Sequence, residues 1–456
     1  MLRRHVLAVA ALATFLVPAV ATADQPLRVG TFAVDASPAV GKPMAYDPTK
    51  GVDHPLSCKG VVLIGDDAPI VLVAIDWIGV ANDGQREFRE ALARAAATTV
   101  ERVEVHALHQ HDAPRMDLSA DAILSQIDAE AAREYDDVDL ARDVIVRCAA
   151  AVREAVADAR PVTHVGLGQG IVEKVASTRR LMNPEGTKVV YVRWSSCADP
   201  KGRALPEGLI DPALKMISFW NGEKPVAVMT FYATHPQSYY RTGLANPDFP
   251  GIARDQREKD TGIFHVHFNG ASGNVAAGKY NDGTPPYRRI LADRVKAGMD
   301  AAWAATEKTP ISSADLDWRT VKVALPVDPE LNAAELEKQV ADESQTPAKR
   351  GHAARDLAWI RRCEAGDRID VSVLKLGEAR VPLLPGELFV EYQLAAQKLR
   401  PDLFVAMAAY GDYGPGYIGT EAAYSQGGYE TGRHVSRVAP SVEGVLMGAI
   451  RELLRD

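Results

Sequence analysis

Short apolar runs alternate with helical stretches along most of the chain. Residues 70–76 and 226–233 are almost entirely apolar, which is typical of strands, whereas residues 84–98 and 138–158 are typical of helices. The same reasoning predicts strands at 61–64, 103–107, 189–194, 215–220, 264–269, 370–376 and 381–384, and a closing helix at 440–455. This alternation predicts an α/β fold.

One segment departs from the alternation. Residues 330–365 are charged and helical, with few large apolar residues, and they predict a helical excursion on the surface. No internal repeat or Gly/Ser linker marks a domain boundary. Residues 24–456 are therefore predicted to form one domain that includes this excursion.

The N-terminus has the pattern of an export signal. Arg3 and Arg4 precede an apolar run over residues 6–21, and small residues up to Ala23 follow it. The run is short for a membrane span of about 20 residues, and Pro18 interrupts it. Residues 1–23 are therefore interpreted as a signal peptide rather than a membrane anchor. The protein is predicted to reach the periplasm or the exterior, without a membrane span after cleavage.

Composition narrows the possible partners. The chain has 456 residues, 47% of them hydrophobic, and a formal net charge of −8 with no long Lys/Arg run. A nucleic-acid partner is not expected from this charge. The four cysteines lack CxxC spacing, which argues against a thiolate metal cluster, and export would permit up to two disulfides. The oligomeric state stays open.

The clearest candidate chemistry is a histidine cluster after the predicted strand 103–107. His106, His109 and His111 fall within six residues, although the whole chain has only 11 histidines. His109 and His111 are two apart, so in an extended segment their side chains point the same way. Such a pair can place one imidazole on a metal and the other beside it as an acid/base group.

Three weaker signals follow. His235 comes directly after the strand 226–233, where it could equally be a structural histidine that caps the strand end. Glu387 follows a Pro-Gly turn, where it could equally be the acid in the first turn of the next helix. Residues 410–430 contain six glycines and five tyrosines in 21 residues. So many tyrosines favour a packed loop at a binding site over an exposed coil.

Taken in this order, these segments resemble the neutral, non-lysosomal ceramidases over residues 28–430. The segments that carry the resemblance are Val29-Gly30 with Val34-Asp35, Val73 to Asp76, His109-Gln110-His111-Asp112-Ala113-Pro114, Ala233-Thr234-His235, Pro385-Gly386-Glu387, and Tyr417 to Tyr424 continuing to Tyr429-Glu430. The resemblance implies mixed β-sheets flanked by helices, as in the catalytic domain of that family. It also indicates a short bacterial-type relative without the C-terminal β-sandwich domain.

The resemblance further implies a zinc site and its surroundings. By position, the zinc ligands would be His109, His235, Glu387 and Tyr417, a set of imidazole nitrogens and hard oxygens that suits Zn²⁺. His111 would transfer a proton to the leaving amine. Tyr429 and Arg179 would lie near the substrate and steady an oxyanion, with Arg180 an equal chemical candidate for the arginine.

The sequence departs from the ceramidase pattern at two points. Ala276 stands where those enzymes carry a serine assigned as nucleophile, and Ser272 nearby does not align with it. Asp112-Ala113 replaces the Ser-Gly of the histidine segment. A serine mechanism at position 276 is excluded, whereas a mechanism based on zinc and water does not need that residue.

The predicted function is therefore zinc-dependent hydrolysis of an amide bond in an N-acyl substrate, a small molecule or a lipid, with ceramide-like compounds included. Ester or phosphoester hydrolysis on the same zinc site is the near alternative, because activated water attacks all three bonds. Several Arg or Lys side chains in the pocket would favour a phosphoester substrate. A narrow apolar tunnel would favour a fatty acyl amide. A non-catalytic binding protein that keeps the fold is the alternative from another class.

Overall fold

The computed structural model describes residues 26–455, so the predicted signal peptide lies outside the described residues. Within that part of the chain, no helix is both long and apolar enough to cross a membrane. All four cysteines are free thiols. The helices are α1 Asn82–Ala96, α2 Leu118–Ser125, α3 Ala129–Tyr135, α4 Val138–Ala157, α5 Pro200–Ala204, α6 Asp248–Thr261, α7 Pro286–Ala304, α8 Ala333–Ala341, α9 Pro347–Glu364, α10 Val390–Leu399, α11 Glu421–Gln426 and α12 Val442–Leu453.

Three mixed sheets form the body of the protein. In spatial order, the first contains Val103–Ala107, Ile70–Ile75, Ser57–Ile64, Arg28–Asp35 and Arg160–Pro161. The second contains Phe264–Asn269, Lys224–Tyr232, Ala213–Asn221, His164–Ile171 and Glu307–Pro310. The third contains Leu316–Val323, Ile369–Leu376, Ala379–Leu383 and Phe404–Val405. The predicted α/β class, with mixed sheets flanked by helices, is confirmed.

The three sheets share one apolar core. Val61 of the first sheet, Phe231 of the second and Leu374 of the third belong to the same buried cluster. The opposite faces are covered by helices: α1 and α4 on the first sheet, α6 and α7 on the second, α10 and α12 on the third. Strands with both faces covered have no solvent side, which explains why their sequences are apolar without alternation.

Each sheet contains one parallel strand pair, and the other neighbours within the three sheets are antiparallel. The segments that leave the carboxyl ends of these pairs are bonded to each other. Ala107 N donates to Tyr410 O at 2.9 Å, and Ala409 N donates to Asn269 O at 2.9 Å. The carboxyl ends of all three pairs therefore meet at one place, where side chains from distant segments can converge.

Short strand pairs surround this place. They are Gly51–Val52 with Leu244–Ala245, Gly79–Ala81 with Arg115–Asp117, Ser177–Thr178 with Val275–Ala276, Arg180–Met182 with Val189–Val192, and Glu387–Leu388 with Tyr417–Ile418. They fix the loops that carry the candidate site residues.

The segment 330–365 is helical and contains α8 and α9. These helices pack one face with α2 and α3 around a small core of their own. Val340, Ala354 and Leu357 are buried in this core. The sequence gives little sign of this packing, because small alanines and a buried arginine, Arg350, stand where a packed helix usually carries large apolar residues.

A buried ion pair connects the first sheet to α6. Arg254 donates two hydrogen bonds to Asp76, of 2.7 and 2.9 Å, and both side chains are fully buried. Asp76→Ala would leave the two terminal guanidinium nitrogens of Arg254 without an acceptor, with only Asp255 retained as the partner of Nε among the described residues. We therefore expect a loss of about 3 kcal/mol in the free energy of unfolding, measured by urea titration. Asp143→Ala is the matched control, because Asp143 is exposed and its ion pair among the described residues is with Arg147 of the same helix. Equal midpoints for the two variants would contradict the prediction.

Candidate metal centre and active site

His109 leaves the carboxyl end of strand Val103–Ala107 with a backbone φ of 70°, which is unusual for a residue with a side chain. Its Nδ1 lies 2.6 Å from the carbonyl oxygen of Ile78. A carbonyl can only accept, so Nδ1 donates to it, and Nε2 is the ring nitrogen that faces the site. Nε2 is directed toward Glu387, whose Oε2 lies 3.2 Å away.

His111 and His235 bring two further imidazoles to the same point. Their Nε2 atoms are 3.0 Å apart, and with His109 they form a group whose ligand atoms all lie within 4.8 Å of one another. All three rings are buried. Burial lowers the pKa of His111 and of His235 well below the usual range, so both rings are neutral and can offer lone pairs. This buried cluster can hold a metal ion.

Glu387 is placed by a tight backbone turn. Gly386 has a φ of 64°, and a Cβ there would lie 2.5 Å from the carbonyl oxygen of Gly416. The turn leads directly into the parallel pair in which Glu387 is in register with Tyr417. The carboxylate is thereby held beside the histidines, with Oε2 3.8 Å from His235 Nδ1.

Hydrogen bonds prepare this carboxylate for a cation. Burial alone would raise the pKa of Glu387, but His109 and the hydroxyls of Tyr413 and Tyr417 outweigh it, and the pKa is lowered. The Tyr413 hydroxyl donates to Oε1 at 2.6 Å. Glu387 Oε2 and His235 Nδ1, in contrast, are buried and have no hydrogen-bond partner among the described residues. Buried polar atoms without partners, next to neutral imidazoles, fit a divalent metal.

Tyr417 is held from behind by an arginine. Arg179 donates from one terminal nitrogen to the Tyr417 hydroxyl at 2.9 Å, and its Nε lies 3.0 Å from Oε1 of the fully buried Glu430. Burial raises the pKa of Tyr417 well above the usual range, and Arg179 opposes this effect. Arg179 thus fixes both the position and the charge environment of the phenol.

A cavity of about 270 Å³ opens onto this centre. Its lining residues are Tyr46, Ile78, Gly79, Ala81, His109, His111, Arg115, Met116, Asp117, His352, Arg355, Glu387, Tyr413, Tyr417, Tyr429, His434 and Val435. The lining combines candidate metal ligands, tyrosines and two arginines.

Solved ceramidase structures share this architecture. The crystal structure of neutral ceramidase from Pseudomonas aeruginosa matches with a TM-score of 0.68 and 17% identity, over 94% of this chain and 74% of that chain. A ceramidase complexed with C2 matches with a TM-score of 0.68 and 16% identity, over 94% and 75%. The chain has the neutral-ceramidase fold. The sequence by itself matches no protein-family model and no protein of curated function.

Within this neutral-ceramidase fold, the residues predicted from the sequence lie together. His109 and His235 lie beside Glu387, Tyr417 is in register with Glu387 on the neighbouring short strand, and His111 and Tyr429 line the adjoining cavity. Arg179 does not line the cavity; it lies behind Tyr417. Arg180, the equal candidate by chemistry, is turned away and donates to Ala423 O at 3.0 Å.

The two departures from the ceramidase pattern have structural explanations in this fold. Asp112 accepts hydrogen bonds from Thr242 and Arg288, at 2.8 and 3.3 Å, so it anchors the loop. Ala276 lies buried in the pair with Ser177 and Thr178. The hydroxyl of Ser272 is 2.9 Å from that of Tyr410.

Several residues of the site were not predicted from the sequence. Tyr413 lies in the tyrosine-rich segment that was predicted to line a binding site, so its role could have been sought there. Tyr46 stacks on His111 with 5.4 Å between ring centroids, and Arg115 and Arg355 line the cavity. No motif marks these three residues.

Tyr413→Phe tests the support of the carboxylate. The variant removes the donor to Glu387 Oε1, and loss of an outer-shell partner typically costs about 10–100-fold in metal affinity. We expect such a loss for zinc, measured by competition with a chromophoric chelator. Tyr424→Phe, in the same segment but bonded to Ser436, is the control. Unchanged affinity in Tyr413→Phe would show that this hydrogen bond does not support the metal site.

Proposed function

We propose that this protein is an exported, zinc-dependent hydrolase that cleaves the amide bond of an N-acyl substrate. The observation that carries the proposal is the convergence of His109, His235 and Glu387 at the cavity, on the neutral-ceramidase fold. The predicted signal peptide supports action outside the cytoplasm.

Zinc would be held by His109, His235 and Glu387, with Tyr417 as the fourth protein ligand. Imidazole nitrogens and carboxylate and phenol oxygens are donor types that suit zinc. When bound, zinc supplies Lewis acidity, which makes water more acidic and polarises a carbonyl. Arg179 keeps Tyr417 in place, and Tyr413 keeps Glu387 in place, through the hydrogen bonds described above.

His111 is the proposed proton-transfer group. It faces the cavity, its ring is fixed by Tyr46, and burial keeps it neutral, so it can accept a proton and return it to the leaving amine. Tyr429 also faces the cavity, with its ring centroid 5.9 Å from that of Tyr417. Its hydroxyl is the proposed donor to the developing oxyanion.

The choice of an amide as the bond cleaved rests on the similar structures, because water activated at this ligand set could attack an ester or a phosphoester equally well. Both similar proteins are ceramidases, and hydrolysis of ceramide breaks an amide bond. The test is an assay of purified zinc-loaded protein on matched N-acyl amides, the corresponding esters and phosphoesters, with ceramide included. Turnover of amides that is lost in Glu387→Gln supports the proposal. A well-folded, zinc-loaded protein that hydrolyses none of them would favour a non-catalytic binding protein.

One observation favours a second candidate. Arg115 and Arg355 line the cavity, and arginine is well suited to phosphate. Phosphoester hydrolysis is therefore the second candidate function. Faster turnover of a phosphoester than of the matched amide, at equal zinc content, would select it.

A further inference from the structure

The cavity has a cationic wall opposite the candidate metal centre. Arg355 and His352 come from one face of α9, and Arg115 comes from the short strand Arg115–Asp117. Tyr413 separates this wall from the metal centre: its hydroxyl bonds to Glu387, and the guanidinium carbon of Arg355 lies 5.8 Å from its ring centroid. The wall is thus one tyrosine ring away from the proposed reacting atoms.

Arg355 has no hydrogen bond or ion pair to any described residue. Its Nε is buried without a hydrogen-bond partner in the described part of the chain, and its guanidinium lies over the Tyr413 ring. The nearest acid in sequence, Asp356, instead accepts from Arg437 Nε. A partly buried guanidinium without an anion is costly, because desolvation is not offset by pairing.

Arg115 is only partly neutralised. It donates to the carbonyl oxygen of Ala45, and its Nε lies 3.8 Å from Asp136 Oδ1, too far for a hydrogen bond. Burial raises the pKa of Asp136 well above the usual range, which weakens it as a counter-charge. The positive charges of Arg115 and Arg355 also act against each other.

The carboxylates that line the same cavity bind groups other than the two arginines. Asp117 accepts from Asn82 Nδ2 at 2.9 Å and from Ala120 N at 3.0 Å, as the N-cap of α2. Glu387 faces the histidines. Among the described lining residues, no carboxylate bridges the two arginines, so the space between them suits an anion supplied from outside.

We propose that Arg115 and Arg355 form a subsite for an anionic oxygen group of the substrate, so that the preferred substrate is a compact N-acyl amide carrying a carboxylate or a phosphate. The size of the cavity agrees, because about 270 Å³ is near the lower end of small-molecule sites, at roughly 300 Å³. Guanidinium groups bind carboxylate and phosphate oxygens in a directed, two-point manner. That the bound compound is hydrolysed at its amide bond rests on the proposed function, whereas the binding of an anionic group by the two arginines does not.

The first experiment measures binding without turnover. N-acetylglycine and the neutral N-acetylglycinamide are titrated by calorimetry into chelator-treated protein and into its Arg355→Met and Arg361→Met variants. Arg361 lies on the same helix but is half exposed and pairs with Glu337, so it is the matched control. We expect N-acetylglycine to bind at least about tenfold more tightly than the amide, with this preference lost in Arg355→Met and kept in Arg361→Met.

The second experiment measures turnover by the zinc-loaded protein. Arg355→Met is expected to raise KM for N-acyl amides that carry a carboxylate by about tenfold or more relative to KM for the matched neutral amides, whereas Arg361→Met should change neither KM. A phosphate-bearing amide, N-acetylphosphoethanolamine, is assayed beside the carboxylate to decide which anion is preferred. Arg355→Lys keeps the charge and should retain part of the preference, which separates lost charge from lost folding.

The outcomes are distinguishable. Equal affinity of the wild type for N-acetylglycine and N-acetylglycinamide would overturn the anionic subsite. So would an Arg355→Met variant that loses affinity for both compounds equally, while Arg355→Lys binds both as the wild type does. Equal KM values of the wild type and Arg355→Met for the amide that carries a carboxylate, with that amide still hydrolysed, would overturn the subsite and leave the proposed function standing. Selective binding of the carboxylate with no amide hydrolysis would support the subsite and overturn the proposed function.

Discussion

Purified protein is expected to bind about one zinc ion per chain, and His109→Ala and His235→Ala are each expected to abolish this binding. Nε2 of His109 is aimed at the site by the hydrogen bond from Nδ1 to Ile78, and His235 lies within 3.8 Å of the same carboxylate oxygen. Removing either ligand from a four-ligand site leaves a buried cavity with too few donors. Elemental analysis of dialysed protein is the measurement.

The rate of hydrolysis should fall in the variants that lose zinc. Without zinc the proposed water activation is lost, so we expect activity to drop by at least about a thousandfold in both variants, since metal activation supplies several kcal/mol of the barrier. Zinc that binds only the folded chain should also raise the melting temperature of the wild type but not of the variants. His164→Ala is the control, because His164 lies at the start of a strand and contacts Thr163. Full zinc in either ligand variant would show that the metal site lies elsewhere or is absent.

Much of the fold could be predicted because its central strands are buried on both faces. The strands predicted at 70–76, 226–233 and 264–269 correspond to strands of the parallel pairs. The strand His164–Ile171 was missed, since Gly166, Gly168 and Gly170 give a weak strand signal. These glycines are needed for packing: a Cβ on Gly168 would lie 2.1 Å from the carbonyl oxygen of Ala302 in α7. Because α7 packs so closely on this strand, glycines replace the β-branched and aromatic residues by which a strand is usually recognised.

The candidate metal centre could be predicted because its residues sit in short motifs at strand ends. His109, His235 and Glu387 each follow a strand closely, and the meeting of the three sheets brings them together. The cationic wall could not be predicted in this way. Arg115 and Arg355 come from segments far apart in sequence, and only the packing of α9 against α2 and α3 brings them to one cavity.

The position of Arg179 shows the same limit. The sequence offered Arg179 and Arg180 as equal candidates, because both have the same chemistry and neighbouring positions. Both arginines pair with Glu430, but Arg179 also donates to Tyr417, whereas Arg180 donates to Ala423 O and Gln426. Which of the two contacts Tyr417 is set by the packing of residues distant in sequence, and a single sequence does not specify it.

Replacing His111 is expected to separate metal binding from catalysis. Under the proposed function, His111→Ala keeps about one zinc per chain but lowers kcat by about 10²–10⁴-fold, the usual contribution of a proton-transfer group. Its Nε2 lies 3.0 Å from that of His235, so it is also close enough to act as a ligand. Three observations favour the proton-transfer role: His111 faces the cavity, Glu387 and Tyr417 complete a ligand set without it, and Tyr46 stacks on its ring.

Elemental analysis and steady-state kinetics on the same preparation decide between the roles. Zinc retained with low kcat and little change in KM supports proton transfer, and added imidazole should then restore part of the rate. Zinc lost from His111→Ala, to the same extent as from His109→Ala, would make the three-histidine cluster the metal site. In that case Tyr417, which Arg179 holds beside the cavity, would become a candidate proton donor. Tyr417→Phe, with zinc measured beside kcat, then tests that role directly, because it removes the hydroxyl and preserves the ring.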